Sequence, residues 1–216
     1  MNGVIFMKER AQLIDDLCDL EWKMFVQVNN NGGKASCQND EMFFKKMRMC
    51  QYDAWSTDML VSYLADLINA EASGRNLPME KYAWMMESTH PAEFEGIRAS
   101  LPPVPAESLA IIAELVPIQV EWEAEVDKAY PYMRAGGRPL RKSQDSEWAT
   151  SFETYMEGEL KTFSTTTLQA YKEHVKAMQK EGLNFALIVA ENTAKAYGFA
   201  SLAEADEHAR RRSQGA

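Results

Sequence analysis

Cys37 is the one cysteine of this sequence whose neighbours could activate a thiol. It lies in the segment GGKASCQND at 32–40, close to Lys34 and just before a stretch with helical periodicity. A nearby cation and a helix N-terminus both stabilise the thiolate, which is the nucleophilic form of cysteine. We therefore predict a nucleophile at Cys37, with a small side chain packed under a turn as the structural alternative. No histidine is adjacent, so a Cys–His pair would need the fold to bring His90 or His174 close.

Two glycine-rich turns could bind an anion. Gly32–Lys34 is Gly-Gly-Lys and Gly136–Arg138 is Gly-Gly-Arg, and each precedes a helical segment. Backbone N–H groups at a helix start form an anion site when a cation lies beside them. Neither turn has the GxxxxGK(S/T) spacing of a nucleotide-binding P-loop. We predict that Lys34 contributes to substrate binding, and plain turns are the alternative.

A polar pair, Arg48 and Gln51, lies three residues apart in a helical segment. This spacing puts both side chains on one helix face, beside the face that carries Met47 and Cys50. The planar guanidinium group of arginine can bind a carboxylate through two hydrogen bonds. We therefore predict that Arg48 binds a substrate carboxylate and that Gln51 orients the substrate. An arginine that faces solvent is the alternative.

Tyr155 and Glu159 lie one helical turn apart in the segment TSFETYMEGEL, 150–160. A phenol and a carboxylate at this spacing could transfer protons as an acid/base pair, or could form a purely structural hydrogen bond. Gly158 costs this helix about 1 kcal/mol relative to alanine, which indicates close approach of another helix or a ligand. If that neighbour is the helix of Arg48, the two motifs meet in one pocket.

Four other reactive or charged residues are predicted to be structural. Glu21 and Glu121 each precede a tryptophan, and we expect both carboxylates on helix surfaces. Cys18 and Cys50 have apolar neighbours at helical spacing and are expected in the core.

The composition is that of a soluble globular protein. The chain has 216 residues, 46% of them hydrophobic and 25% charged, with a formal net charge of -9. An acidic chain is unsuited to binding a phosphate backbone, so we expect no nucleic-acid partner. We expect no membrane helix, because no segment approaches the ~18 apolar residues required. The three cysteines without a CxxC, and a start without a signal-peptide pattern, predict a reducing cytoplasm.

Apolar residues recur at helical spacing along almost the whole chain, so we predict an all-α fold, a helical bundle that forms a single domain over 1–216. The three histidines are scattered without metal-ligand spacing, so we expect no metal and no cofactor. The LPPVP segment at 101–105 must interrupt the helices, because proline lacks a backbone N–H. The predicted helices are near 4–29, 40–52, 56–73, 78–88, 91–100, 106–134, 146–162, 165–181, 184–197 and 201–212.

The two sides of the LPPVP segment share short strings in the same order. The Gly-Gly-basic turns correspond, QNDEM at 38–42 corresponds to QDSEW at 144–148, and STDMLVSY at 56–63 corresponds to STTTLQAY at 164–171. The shift between them grows in small steps, as short loop insertions would produce. We predict an internal duplication over 10–100 and 108–210, giving two helical halves with pseudo-twofold symmetry. Each string QNDEM or QDSEW predicts a helix N-cap, at Asn39 or Asp40 and at Asp145 or Ser146.

The strings NNNGGKASCQND, MRMCQYDAW, TSFETYMEGELKTFS and YGFASLAEAD resemble a bacterial family, domain of unknown function 4125. The resemblance covers nearly the whole chain. It implies a bacterial, cytoplasmic helical domain, similar to companions of nucleotidyltransferase-like domains. It also marks Asn29, Gln38 and Thr150 as motif positions, and we add these three to the predicted substrate-binding residues.

Two functions remain open at this point. The first is an enzyme that acts on a small, anionic metabolite in a pocket between the two halves, with Cys37, Tyr155 and Glu159 as catalytic residues. Pockets favour such interfaces. The second is a non-catalytic module that binds a ligand or a protein, such as a nucleotidyltransferase-like or biosynthetic partner or a second copy of the chain. Convergence of Cys37, Arg48 and Tyr155 on one concave pocket would favour the enzyme.

Overall fold

The computed structural model describes residues 9–29 and 33–215 and is all-α within these ranges. The helices are α1 Arg10–Phe25, α2 Glu41–Tyr52, α3 Thr57–Ala72, α4 Leu77–Thr89, α5 Pro91–Ile97, α6 Ala106–Ala129, α7 Pro131–Arg134, α8 Phe152–Leu160, α9 Thr165–Glu181, α10 Phe185–Ala196 and α11 Leu202–Gln214. Short 3-10 helices occupy Ser36–Asn39, Arg98–Ser100 and Lys142–Gln144. The prediction of an all-α fold is confirmed. In the described ranges, no helix is long and apolar enough to span a membrane.

Polar caps set where many of these helices begin. Seven of the described helices start after a Ser, Asp or Asn whose side-chain oxygen accepts a hydrogen bond from a backbone N–H of the first turn. These caps are Asp40, Ser56, Asn76, Ser151, Ser164, Asn184 and Ser201. The predicted cap at Asp40 is confirmed. The LPPVP segment lies between the second 3-10 helix and α6, as predicted.

The start of α8 differs from the prediction. A helix near 146–162 with Asp145 or Ser146 as its cap is wrong, because α8 begins at Phe152 and is capped by Ser151. The Asp145 carboxylate instead accepts hydrogen bonds from the Ser151 backbone N–H at 2.6 Å and the Ser88 hydroxyl at 2.5 Å. Asp145 therefore ties the loop before α8 to α4.

The single helix predicted over 106–134 is two helices. Helix α6 ends at Ala129 and α7 begins at Pro131. A proline disfavours the helical conformation in the residue before it, and Tyr130 has φ −133°. Proline is well tolerated at the first position of a helix, so the chain starts again there.

The helices pack in two corresponding sets. Helix α1 contacts α2, α3 and α4, while α6 contacts α8, α9 and α10. Between the sets, α3 packs on α9, α2 on α10 and α4 on α8. Exchanging α1 with α6, α2 with α8, α3 with α9 and α4 with α10 preserves all of these contacts. One core of buried apolar side chains extends from Leu13 to Ala186 and joins the two sets.

Gly158 lies where α8 crosses α4. A Cβ atom on Gly158 would come within 3.0 Å of the Lys81 carbonyl oxygen and of Met85 Cγ. The predicted close neighbour is therefore present, but it is α4 rather than α2, the helix of Arg48. This crossing brings Lys81 of α4 beside the polar residues of α8.

Candidate functional site

Four charged side chains lie buried together between the two sets of helices. They are Glu21 of α1, Arg48 of α2, Lys81 of α4 and Glu159 of α8, with 3%, 9%, 8% and 5% of their surface exposed, respectively. We call these four residues the charge cluster. Buried charges require partners, since an isolated ion in an apolar interior is very unfavourable.

Arg48 is the centre of the charge cluster. Its Nε and Nη2 both donate to the Glu21 carboxylate, the Nε bond at 2.5 Å. Its Nη1 donates to Gln51 Oε1 at 2.7 Å and to Glu159 Oε1 at 3.2 Å, and its Nη2 also donates to the Tyr52 hydroxyl at 3.0 Å. Arginine has five N–H donors, and these contacts use all of them.

Two buried tyrosines complete the surroundings of Glu21. The Tyr63 hydroxyl donates to Glu21 Oε1 at 2.8 Å, and the Tyr52 hydroxyl donates to Oε2. Burial raises the pKa of both phenols well above the usual range, so each keeps its proton. Glu21 thus accepts four hydrogen bonds, two from Arg48 and two from these phenols.

Lys81 connects the charge cluster to Tyr155. Its Nζ donates to the Tyr155 hydroxyl at 2.8 Å and lies 3.6 Å from Glu159 Oε1. The same ammonium group lies 4.4 Å from the centre of the Tyr155 ring. Tyr155 and Glu159, predicted as a direct acid/base pair, are therefore linked through Lys81.

The charges of the cluster stabilise one another in their ionised forms. Burial alone would raise the pKa of Glu159, but the positive charges of Lys81 and Arg48 outweigh it and lower this pKa. Burial alone would lower the pKa of Lys81, but the neighbouring Tyr155 and Glu159 outweigh it and raise this pKa. The cluster contains two cations and two carboxylates, so its formal charges cancel.

Within the described ranges, two cavities lie next to the charge cluster, and the smaller of them has a volume of about 270 Å³. Its lining includes Cys37, Arg48, Lys81 and Tyr155, together with aromatic rings such as Phe44. The Cys37 side chain is exposed to solvent at this cavity. A thiol, three cations and two phenols from both sides of the LPPVP segment therefore line one space.

A larger cavity of about 450 Å³ shares Tyr155 with the smaller one. Gln51 and Glu159 line it, while Met47, Arg138 and Tyr155 line both cavities. The Arg138 guanidinium carbon lies 4.6 Å from the centre of the Tyr155 ring, and the side chain is exposed. Among the described residues, no carboxylate forms an ion pair with Arg138. Its charge is therefore available at the border of the two cavities.

Comparison with known proteins identifies the family of this chain. A family model described as a protein of unknown function (DUF4125) matches residues 11–207. The chain belongs to the DUF4125 family. Comparisons with curated proteins and with solved structures found no match. The family membership confirms the resemblance, and the chemistry of the site rests on the geometry of the chain itself.

Three predicted binding residues of this DUF4125 chain lie around its 3-10 helix at Ser36–Asn39. Gln38 is buried, accepts from the Ala35 N–H at 2.8 Å and donates to the carbonyl oxygens of Phe25 and Val28, both at 2.9 Å. It therefore joins the turn to the end of α1. Asn29 and Lys34 are exposed, and neither is among the described residues that line the two cavities.

The glycine-rich turns and Thr150 lie at the edge of the site. Gly32 falls outside the described residues, while Gly33 has a positive φ of 86° in an exposed turn. Thr150 is half-buried, and its carbonyl oxygen accepts from Arg138 Nη1 at 3.4 Å. Thr150 helps to position Arg138 and is not among the described residues that line either cavity.

Glu21 and Lys81 are two residues of the candidate site in this DUF4125 chain that were not predicted from the sequence. The expectation of a surface carboxylate holds for Glu121, which is exposed, but is wrong for Glu21, which is buried. Glu21 lies four residues after Leu17, on the apolar stripe of α1, and this spacing was the available signal. Lys81 similarly precedes Met85 by four residues on the buried face of α4.

The remaining thiols of the DUF4125 chain are structural. Cys18 and Cys50 are buried, as expected. Burial raises the pKa of Cys18 to about 12, and burial also raises the pKa of Cys50. In the described part of the chain, no group of three or more His, Cys, Asp or Glu side chains is placed to hold a metal ion.

Proposed function

We propose that this protein is an enzyme that acts on a small anionic metabolite beside the charge cluster. The observation that carries the proposal is the convergence of Cys37, Arg48 and Tyr155 on the smaller cavity. Cys37 and Arg48 lie before the LPPVP segment in sequence, and Tyr155 lies after it. A thiol, a cation and a phenol around one space are the groups that a site for proton transfer or covalent catalysis requires.

The charge of the smaller cavity supports an anionic substrate. Its described lining carries the cations Arg48, Lys81 and Arg138 and the carboxylate Glu21. Within the charge cluster, Glu21 and Glu159 balance Arg48 and Lys81, so Arg138 supplies the net positive charge. A concave site lined mainly by one sign of charge raises the local concentration of ligands of opposite sign. The overall charge of the chain is negative, so this positive lining is a local feature of the site.

Tyr155 is the proposed proton donor. Its hydroxyl oxygen accepts a hydrogen bond from Lys81 at 2.8 Å, so the phenol proton can be directed at a ligand. Glu159 is held ionised by Lys81 and Arg48 and could accept a proton on the side of the larger cavity. Cys37 is the proposed nucleophile, because its thiol is the exposed one of the three.

We propose a role for Arg48 other than direct binding of a substrate carboxylate. A bidentate contact with a substrate carboxylate would require Arg48 to break bonds to Glu21, Glu159 or other protein acceptors. We therefore propose that Arg48 contributes its positive charge and keeps Glu21 and Glu159 in place. Lys81 and Arg138 line the same cavity and make fewer hydrogen bonds to protein acceptors than Arg48, so they are better placed to contact the substrate itself.

A non-catalytic module that binds a ligand or a protein partner is the second candidate. The observation that favours it is the saturation of Arg48 by protein acceptors, which is the pattern of a structural network. A bacterial nucleotidyltransferase-like or biosynthetic protein would be the partner. A cytoplasmic location belongs to both candidates and is supported by three free thiols.

We also propose that the two helical halves, 10–100 and 108–210, arose by duplication. Two observations support this. The first observation is that α1 and α6 make corresponding contacts with the other helices. The other is that Gln38 and Gln144 each accept a hydrogen bond from the backbone N–H three residues earlier, at 2.8 Å and 2.9 Å, respectively. Duplication would explain why the site lies where α2 and α4 meet α8 and α10.

A thermal-shift screen of anionic metabolites with the full chain tests the enzymatic proposal. A ligand that binds only the folded state raises the melting temperature, and each such ligand is then incubated with the protein and its products are analysed by mass spectrometry. We expect Tyr155→Phe to bind the ligand as the wild type does but to lose turnover by roughly 10²–10⁴-fold. Tyr132→Phe, at an exposed tyrosine, is the matched control and should keep full turnover. A ligand that binds without being converted would support the non-catalytic module instead.

A further inference from the structure

Gln119 of α6 is a buried amide that lacks a hydrogen-bond partner. Its side chain is 1% exposed, and its Nε2 has no partner among the described residues. Gln119 is also one of the residues that line the larger cavity. A buried donor without an acceptor is unfavourable, and such groups are rare in native proteins. A molecule in the larger cavity could supply the acceptor.

Further hydrogen-bond donors line the same cavity. Gln51 Oε1 accepts from Arg48 at 2.7 Å, which leaves the Nε2 group of Gln51 to donate elsewhere. The Tyr155 oxygen accepts from Lys81, which leaves the phenol proton. Arg138 adds an exposed guanidinium group at the border. Two amides, a phenol and a guanidinium group therefore favour a ligand group that accepts hydrogen bonds.

The carboxylates of this cavity already have cationic partners. Glu123 accepts from Arg134, and Glu159 accepts from Arg48 at 3.2 Å and lies 3.6 Å from the Lys81 ammonium nitrogen. Arg134 pairs with Glu123 and Asp127, so Arg138 is the one cation in the described lining without a carboxylate partner. A ligand with one negative charge suits this single cation and the neutral amide donors better than a dianion such as phosphate.

Much of the remaining lining is apolar. Phe152, Met156, Phe185 and Val189 line the cavity, with small side chains between them. The volume of about 450 Å³ lies within the range of small-molecule sites, which are mostly apolar with a few placed polar groups. A hydrocarbon segment of the ligand would bury apolar surface against these side chains.

We propose that the larger cavity binds a small monocarboxylic acid with a hydrocarbon tail. The carboxylate accepts a hydrogen bond from Gln119 and lies near Arg138, while the tail contacts Phe152 and Phe185. This inference rests on the proposed function in one respect, since it places the ligand beside Tyr155. It assigns a ligand class to a cavity whose most deeply buried polar residue, Gln119, has no role in the proposed proton transfer.

Isothermal titration calorimetry with the full chain tests this proposal, with octanoate as the probe. We expect octanoate to bind and 1-octanol and octylamine to bind at least about tenfold more weakly, because they lack the charged acceptor. Gln119→Leu should weaken octanoate binding by about tenfold or more. The melting temperature of this variant without ligand should equal or exceed that of the wild type, because it removes an unpartnered buried amide. Gln179→Leu, at an exposed position of α9, is the matched control and should change neither quantity.

Arg138→Gln provides a second variant at an exposed side chain, in case Gln119→Leu folds poorly. It should weaken binding of octanoate but leave binding of 1-octanol unchanged. The proposal is overturned if octanoate does not bind the wild type, if neither variant alters its affinity, or if octylamine binds as tightly. Octanoate binding requires no turnover, so a negative result here leaves the Tyr155→Phe experiment to decide the enzymatic proposal separately.

Discussion

Arg48 and Lys81 are two buried cations of this site that differ in how many of their N–H donors have protein acceptors. All N–H groups of Arg48 have protein acceptors, whereas Lys81 has three donors and makes two polar contacts, with Tyr155 and Glu159. Lys81 also lines the smaller cavity, so its remaining donor can reach a ligand there. The cation suited to contacting a substrate is therefore one that the sequence motifs did not mark.

Cys37 should be the first thiol to react with an alkylating reagent. The protein is treated briefly with iodoacetamide at neutral pH, and the label is located by mass spectrometry. We expect Cys37 to be labelled at least about tenfold faster than Cys18 or Cys50, because reaction requires an accessible thiolate. Cys37 is exposed, whereas the other two are buried and their pKa values are raised by burial.

A control for access uses the same reagent after unfolding in denaturant. All three thiols should then react at similar rates, since burial no longer protects Cys18 and Cys50. Earlier labelling of either buried cysteine in the folded protein would contradict the assignment of Cys37 as the available nucleophile.

The crossing of α4 and α8 is the contact between elements that builds the site. It places Lys81 beside Tyr155 and Glu159, and it requires a residue without a side chain at Gly158. The backbone carbonyl of Lys81 cannot move aside as a flexible side chain could. A methyl group at Gly158 must therefore separate the two helices.

Gly158→Ala should destabilise the protein by about 1–3 kcal/mol in a chemical denaturation experiment. Alanine stabilises an isolated helix by about 1 kcal/mol relative to glycine, so the destabilisation by the steric clash must exceed this gain. Gly96→Ala in α5 is the matched control, because no atom lies within 4 Å of the Cβ position there. The control should be neutral or stabilise the protein by up to ~1 kcal/mol. Equal effects of the two substitutions would show that the α4–α8 crossing tolerates a side chain.

At the scale of the whole molecule, the charge cluster joins α1, α2, α4 and α8 and makes the fold sensitive to acid. The pKa of Glu159 is lowered in the folded protein because Lys81 and Arg48 outweigh the effect of burial. A carboxylate with a lowered folded pKa contributes stability at a pH above its unfolded pKa of about 4.3. That contribution is lost as the pH falls through the lower folded value.

Glu159→Gln should therefore lower the free energy of unfolding most at neutral pH. We expect a loss of about 3–5 kcal/mol in the free energy of unfolding at pH 7, because Arg48 and Lys81 lose a buried partner. The difference from the wild type should begin to shrink below about pH 4.3, where the carboxyl group of the unfolded wild type takes up a proton, and should be smallest below the lower folded pKa. Urea denaturation at several pH values measures this difference. Glu121→Gln, at an exposed carboxylate, should change stability by less than ~1 kcal/mol at every pH. A difference for Glu159→Gln that does not depend on pH would contradict the linkage.

The sequence by itself determined the local structure and several members of the site. Helical periodicity and caps such as Asp40 act within a few residues, so they predict an all-α chain and many helix starts correctly. Gly158 indicated a close neighbour, because glycine destabilises a helix locally and its presence there needs a reason. Arg48, Gln51, Tyr155 and Glu159 could be selected because their spacing places each pair on one helix face.

Only the tertiary structure decided which helices meet. The partner of Gly158 is α4, and this contact brings Lys81 to Tyr155 across 74 positions of the chain. The same packing buries Glu21 against Arg48 and leaves the Gln119 amide at a cavity wall without a partner. Local patterns cannot determine such contacts, because they depend on the free energy of packing whole helices against one another. The occupied state of Arg48 and the open donors of the larger cavity follow from that packing.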